Sequence, residues 1–63
     1  MSERCRLVRL PEVKQMTGLS KSTIYARIAS GTFPKQIQLG SRSVVWNERE
    51  VIDWMIQQIA TAT

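Results

Sequence analysis

The sequence contains no histidine and a single cysteine, Cys5. Without histidine the chain lacks the commonest general base of enzymes and a common zinc ligand. One thiol cannot close a disulfide within the chain, which excludes a secreted disulfide scaffold and favours a reducing compartment. A Gly-rich phosphate-binding loop is also absent. We therefore expect a protein that is not an enzyme, holds no metal and no cofactor, and carries Cys5 as an ordinary free thiol.

Long apolar runs are missing as well. No segment approaches the roughly 20 apolar residues that span a bilayer. The N-terminal stretch MSERCRLVRL lacks the apolar core of a signal peptide. With 63 residues the chain is long enough for one small domain, and such a domain buries only about 60% of the surface of its unfolded chain. These features predict a soluble, cytoplasmic protein with little room for an internal pocket.

Positive charge is in excess and unevenly distributed. Nine Lys and Arg residues oppose five Asp and Glu residues, a net charge of +4. Residues 1–35 hold seven of the basic and two of the acidic side chains, whereas residues 36–63 hold two basic and three acidic ones. A basic first half favours a polyanionic partner.

Two helices are predicted in the basic half. The first spans residues 11–17, with Pro11 at the first helical position and a glycine directly after the end. The second starts after Ser20, a good N-cap, and ends at Gly31. Its inner side is marked by Ile24 and its next-turn neighbour Ile28, which leaves small and polar groups on the outer side. The side chains offered outward or on the shoulders of this helix are Ser20, Lys21, Ser22, Thr23, Tyr25 and Arg27.

A β-hairpin is predicted next, from alternating QIQL at 36–39 and β-favouring SVVW at 43–46. Arg42 then projects from the tip, between Ser41 and Ser43. We expect four apolar side chains to face inward, namely Ile37, Leu39, Val44 and Trp46. The expected outward set is Gln36, Gln38, Ser43 and Val45.

A last helix follows Asn47, an N-cap with Glu50 three residues later in a capping-box arrangement. It should run to about Ile59, with the terminal ATAT frayed. The apolar stripe expected to face the core consists of Val51, Trp54 and Met55, and Ile52, Ile56 and Ile59 widen it. We expect Ile52 in the core, and leave Ile56 and Ile59 open as a surface for self-association or for contact with another protein.

Helix, glycine-containing turn, helix and a hairpin with a basic tip are the layout of a winged helix-turn-helix. The major groove admits an α-helix and presents donors and acceptors that differ between base pairs. Small polar groups near the helix N-terminus allow close approach to bases, and longer cations reach a guanine edge or a phosphate. A guanidinium at the hairpin tip is able to contact a phosphate or enter a narrow minor groove.

The segment RLPEVKQMTGLSKSTIYARIASGTFPKQIQLGSRSVVWNEREVIDWM, from Arg9 to Met55, resembles the AlpA family of small phage and prophage regulators. The shared pattern reads approximately EV…TGLS+STIY…I..G.FP..+.LG.R.V.W…EV..W, where + is a basic residue. It is similar, more distantly, to MerR-type DNA-binding domains and phage excisionases. Two positions depart from the pattern, because Ala26 and Val45 stand where basic residues are common in relatives.

The resemblance implies a DNA-binding protein that regulates transcription of an integrated element or directs its recombinase toward excision. Within the matched motif, the reading helix is residues 20–27 and the wing is residues 40–44. The predicted fold is mostly α with a small β-hairpin. Residues 1–9 would be a basic N-terminal arm, 10–60 the winged helix-turn-helix domain and 61–63 a frayed C-terminus. The predicted DNA-binding residues are Ser20, Lys21, Ser22, Thr23, Tyr25, Arg27, Ser41, Arg42 and Ser43.

Each of these assignments has a plainer alternative. Lys21 and its neighbours could be a solvated first turn, Tyr25 could be packing with a wet hydroxyl, and Arg27 could pair with Glu12. The aromatic residues Phe33, Trp46 and Trp54 are predicted in the core. The cations Arg4, Arg6 and Arg9 are predicted to attract phosphate non-specifically. As a whole, the chain could instead be a protein-interaction module that uses its apolar last helix, with DNA binding incidental.

Overall fold

Three helices and three short strands make up residues 6–62, the part of the chain that the structure, a computed structural model, describes. The elements are β1 (Leu7–Val8), α1 (Leu10–Thr17), α2 (Lys21–Ala29), β2 (Ile37–Gln38), β3 (Val44–Asn47) and α3 (Glu48–Ala62). The strands form an antiparallel sheet in the order β1-β3-β2. The predicted mostly helical fold with a small hairpin is confirmed. The predictions for Arg4, Cys5 and Thr63 lie outside the described residues.

Both predicted helices of the basic half are present. The helix α1 begins one residue before the predicted start, at Leu10, so Pro11 lies in its first turn. It ends at Gly18, whose φ of 74° is in the left-handed region that glycine adopts without strain. In α2 the hydroxyl of Ser20 accepts a hydrogen bond from the backbone N–H of Thr23 at 3.3 Å, which confirms the predicted N-cap.

The C-terminus of α2 is closed by a Schellman motif. The backbone N–H of Thr32 donates to the carbonyl of Arg27 at 2.8 Å, and that of Gly31 donates to the carbonyl of Ile28 at 3.1 Å. Gly31 has a φ of 79°. The motif requires a residue in the left-handed region at this position, and this is why the helix stops here.

Trp46 of β3 is at the centre of the core and is fully buried. The cluster that surrounds it draws on every helix and includes Val8, Val13, Ile24, Phe33 and Val51. The indole N–H of Trp46 donates to the carbonyl of Pro34 at 3.2 Å, so burying this ring leaves no unpaired donor.

A second tryptophan, Trp54, also binds the connection between α2 and β2. Trp54 of α3 packs edge-on against Phe33, with 4.8 Å between ring centroids, and its indole N–H donates to the carbonyl of Thr32 at 2.7 Å. The predicted core placement of Phe33 and Trp46 is confirmed, and Trp54 packs half-buried against the same cluster. Residues 32–34 are therefore held by two indole hydrogen bonds.

The strand β1 was not predicted, since residues 1–9 were expected to form an arm. Val8 pairs with Trp46 and is almost fully buried, so burial of an apolar side chain draws this segment into the sheet. Arg6 is held as well, by ion pairs to Glu12 at 2.6 Å and Glu48 at 2.9 Å. Arg6, which was predicted to attract phosphate non-specifically, is therefore paired with two carboxylates of its own chain.

The register of the hairpin differs from the prediction. Ile37 pairs with Val45 and Gln38 with Val44, which places the odd number of three residues, 40–42, between the last opposed positions. Directly opposed residues share a face of the sheet, so Ile37 shares the face of Val45. The prediction placed Ile37 with Val44, which would require a connection of even length.

The exposure of several hairpin side chains also differs from the prediction. Val45, predicted outward, is only 3% exposed, whereas Ile37 and Leu39, predicted inward, are exposed. The inward orientation of Trp46 is correct. Burial of Val45 accounts for the apolar residue at this position.

The helix α3 is longer than predicted and packs differently. It continues through Ala62, so the prediction of a frayed segment from residue 61 is wrong for Thr61 and Ala62, which are helical. Asn47 caps its start by accepting from the N–H of Arg49 at 2.9 Å. Ile52, expected in the core, is exposed. Within the described residues, none of the helices is both long and apolar enough to cross a bilayer.

We predict that Trp46→Ala unfolds the domain. Removing a buried tryptophan costs about 3–5 kcal/mol, and a core of this size supplies only about that much in total. Urea denaturation followed by far-UV circular dichroism measures the effect. The control is Leu39→Ala at an exposed position, which should change stability by less than about 0.5 kcal/mol. A cooperative transition of Trp46→Ala near that of the unchanged chain would contradict this account of the core.

A second prediction concerns the end of α2. Gly31→Ala should destabilise by about 1 kcal/mol because alanine is strained in the left-handed region. No atom lies within 4 Å of the Cβ it would add, so the cost is purely that of the backbone. The matched control is Gly40→Ala, which also adds a Cβ in open space but lacks a positive φ. Equal denaturation midpoints for the two variants would show that the motif does not stop the helix.

Candidate nucleic-acid interface

The helices α1 and α2 are joined by a three-residue turn, 18–20, as in a helix-turn-helix. Hydrogen bonds of Thr17 fix the start of the turn, and burial of Ile24 fixes the helix that follows it. The hydroxyl of Thr17 donates to the carbonyl of Val13 at 2.8 Å and accepts from the N–H of Leu19 at 3.2 Å. Ile24, fully buried, anchors α2 on the core one turn later. The outer side of α2 is therefore presented in one orientation.

The N-terminus of α2 carries three neighbouring hydroxyl groups. Ser20 Oγ donates to Thr23 Oγ1 at 3.0 Å and lies 3.3 Å from Ser22 Oγ. Thr23 is half-buried, whereas Ser20, Lys21 and Ser22 are exposed. The free first-turn N–H groups and the positive end of the helix dipole add attraction for an anion. Lys21 and Ser22 are thus the side chains of this turn that are freest to contact a partner.

The two shoulder residues of α2 have different environments. Tyr25 is half-buried and packs edge-on against Trp46, with 6.3 Å between ring centroids, so it contributes to packing as well as to the surface. Arg27 is exposed. Glu12, its suggested partner, is paired with Arg6 instead, and across residues 6–62 no carboxylate lies within ion-pair distance of Arg27. The positive charge of Arg27 is therefore available.

The wing is the three-residue loop of the hairpin, 40–42. The N–H of Leu39 donates to the carbonyl of Ser43 at 2.8 Å and closes the loop. The side-chain amide of Gln38 lies at 3.4 Å from the carbonyl of Ser41, a weak contact. Ser41 and Arg42 are exposed and Ser43 is half-buried. Arg42 has no ion-pair partner within the described part of the chain and projects from the loop.

The predicted site residues thus form two separate groups. Ser20, Ser22 and Thr23 are brought together by hydrogen bonds, and the wing residues lie on the hairpin. No hydrogen bond or ion pair among residues 6–62 joins the two groups. Both are attached to β3, because α2 packs on Trp46 through Tyr25 and the wing leads directly into that strand. One core therefore fixes the two groups relative to each other.

Unpaired cations are confined to the part of the molecule that precedes α3. Of the basic residues described, Arg6 and Arg49 are paired with carboxylates. Those without an ion-pair partner in the described ranges are Arg9, Lys14, Lys21, Arg27, Lys35 and Arg42. The reasoning from sequence did not include Lys35 in the site. Lys35 was identifiable in the sequence as a cation two residues before β2.

The family model described as prophage CP4-57 regulatory protein (AlpA) matches residues 6–59. The chain is 41% identical over 59 residues to the DNA-binding transcriptional activator AlpA of Escherichia coli (strain K12), with 84% of each chain covered.

A second relative comes from a phage. The chain is 49% identical over 55 residues to the uncharacterized protein ORF88 of Enterobacteria phage P4, a match that covers 87% of this chain and 62% of the phage protein. The chain thus spans less than two thirds of the length of that relative. Since the family model covers nearly all of the chain and the E. coli relative is matched along most of its length, this protein belongs to the AlpA family of prophage regulatory proteins.

Proposed function

We propose that this protein binds double-stranded DNA at specific sequences and regulates transcription of a phage-like or integrated element. The observation that carries the proposal is the separation of charge. Every cation without a carboxylate partner in the described residues precedes α3, and Lys21, Arg27 and Arg42 lie on the two groups expected to contact DNA. The E. coli relative is a DNA-binding transcriptional activator, which supports the same role here.

In the proposed complex α2 enters the major groove with its N-terminus deepest. Lys21 and Ser22 then lie closest to the base edges, where hydroxyl and ammonium groups are able to donate to acceptors on guanine or thymine. Ala26 keeps the middle of the helix narrow, and Arg27 reaches a guanine edge or a phosphate. Arg42 binds the adjacent backbone or its minor groove, which fixes the register of α2. Thr23 and Tyr25 contribute mainly by holding the helix in place.

The same interface serves either of two roles, both exercised in the cytoplasm. A regulator acts at a promoter, whereas an excision factor acts at an attachment site beside a recombinase. Footprinting across the attachment site and the integrase promoter of the host element distinguishes them. A chain that served only to hold another protein through α3 would leave no footprint at either place.

We predict that Arg27→Ala combined with Arg42→Ala abolishes specific binding in a fluorescence anisotropy titration. Each phosphate contact contributes about −0.9 to the slope of log K against log salt concentration. The double variant should therefore also lose about one unit of slope for each phosphate contact that it removes.

The matched control for charge is Arg49→Ala. Arg49 lies on α3 and pairs with Asp53 at 3.4 Å. Its replacement by alanine removes one positive charge, as each of the other two substitutions does, but at a position outside the proposed interface. Affinity and salt slope should stay close to those of the unchanged protein. Weak binding that is equal for all duplexes, or a double variant that binds as well as the control, would refute the proposal.

A further prediction separates capping from DNA contact within the first turn of α2. Ser20→Ala should lower stability by about 1 kcal/mol because it removes the N-cap acceptor. Ser22→Ala, at an exposed hydroxyl, should leave the denaturation midpoint unchanged and weaken binding to the preferred duplex. A Ser22→Ala variant with unchanged affinity for that duplex would remove Ser22 from the interface.

A further inference from the structure

The side of α3 next to its core-facing positions carries three exposed isoleucines. Ile52, Ile56 and Ile59 are 37%, 57% and 66% exposed, whereas the adjacent Val51 is fully buried and Met55 is half-buried. Their spacing of four and three residues is that of the a and d positions of a coiled coil. We call these three residues the isoleucine seam. Exposure increases along the seam, so its second half has little cover from the core.

The surroundings of the seam favour an uncharged apolar partner. After Asp53 the helix carries no charged side chain through Ala62. The formal charge of each copy is +4. The uncharged second halves of α3 are nevertheless able to meet without placing like charges opposite each other. A seam with a and d spacing is filled by another apolar seam whose side chains enter its gaps. The same seam on a second copy has that spacing and that composition.

The small size of the seam limits how strongly two seams are able to pair. A stable interface uses roughly 20–30 residues on each partner, and the seam offers three. Free copies should therefore pair only weakly. A duplex that holds two copies side by side raises their effective concentration to about millimolar, at which a weak contact becomes populated.

We propose that the isoleucine seam pairs with the seam of a second copy when two copies occupy neighbouring sites on duplex DNA. The inference rests on the proposed function, since DNA supplies the proximity. None of the proposed DNA-contacting residues lies on α3, so the proposed DNA contacts do not use the seam. Pairing of identical surfaces is two-fold symmetric, which requires the two half-sites to be inverted relative to each other.

The test uses the duplex sequence that the protein itself selects from a random library. Gel-shift titrations compare one copy of that sequence with two copies, inverted or direct, at centre-to-centre spacings of about one and two helical turns. We expect the second copy to bind about tenfold or more tightly than the first on an inverted pair. Direct pairs should show no such gain.

The diagnostic variant is Ile56→Ser with Ile59→Ser, which should bind a single site normally and lose the gain on the inverted pair. The matched control is Gln57→Ser with Gln58→Ser, two exposed positions of the same helix off the seam, which should retain the gain. Retention of the gain by the isoleucine variant, or absence of any gain for the unchanged chain on every inverted duplex, overturns the proposal. The seam would then belong to a different partner, such as a recombinase.

Failure of the proposed function gives a different result, because the unchanged protein would then select no sequence and shift no single-site duplex. Self-pairing is still decided in that case by methyl NMR of the free protein up to about millimolar concentration. Concentration-dependent shifts at the Ile56 and Ile59 methyl groups, absent from Ile37, would show that the seam pairs. Shifts that stay constant would overturn it.

Discussion

Burial of the Trp46 side chain is the interaction on which the rest of this small structure depends. The ring is fully buried, it packs against the edge of Tyr25 from α2, and its N–H is satisfied by the carbonyl of Pro34. The same strand position pairs with Val8 and thereby recruits β1 into the sheet. A domain of this length has little apolar area to spare, so one large side chain that contacts several elements determines how they are arranged.

The candidate interface follows from this arrangement. Because α2 and the wing are both attached to β3, α2 and Arg42 keep a fixed relation although no hydrogen bond or ion pair among residues 6–62 joins them. The carboxylates of Glu12 and Glu48, which would otherwise be available to neutralise cations of the candidate interface, are paired with Arg6. That pairing also ties β1 to α1 and to the start of α3. The cations without an ion-pair partner among residues 6–62 all precede α3 in the chain.

The helix α3 combines two properties that are unusual in one short element. Its first half closes the core through Val51 and Trp54, while its second half exposes isoleucines in a regular seam. Apolar area that is left in water at coiled-coil spacing is poorly explained by packing within one copy. Pairing with a second copy, as proposed, would cover the exposed half.

The sequence by itself determined the helix boundaries at Gly18 and Gly31, the Ser20 cap and the basic character of α2 and the wing, because these depend on local backbone preferences and composition. The faces of the hairpin, the strand β1 and the partners of Arg6 were decided by tertiary structure. A three-residue loop sets the parity of the pairing between distant strands, and Val8 becomes buried only once β3 is beside it. Val45 is buried on the central strand β3, whereas Ile37, on the same face of the edge strand β2, is exposed, a difference that the alternation of apolar residues alone does not specify.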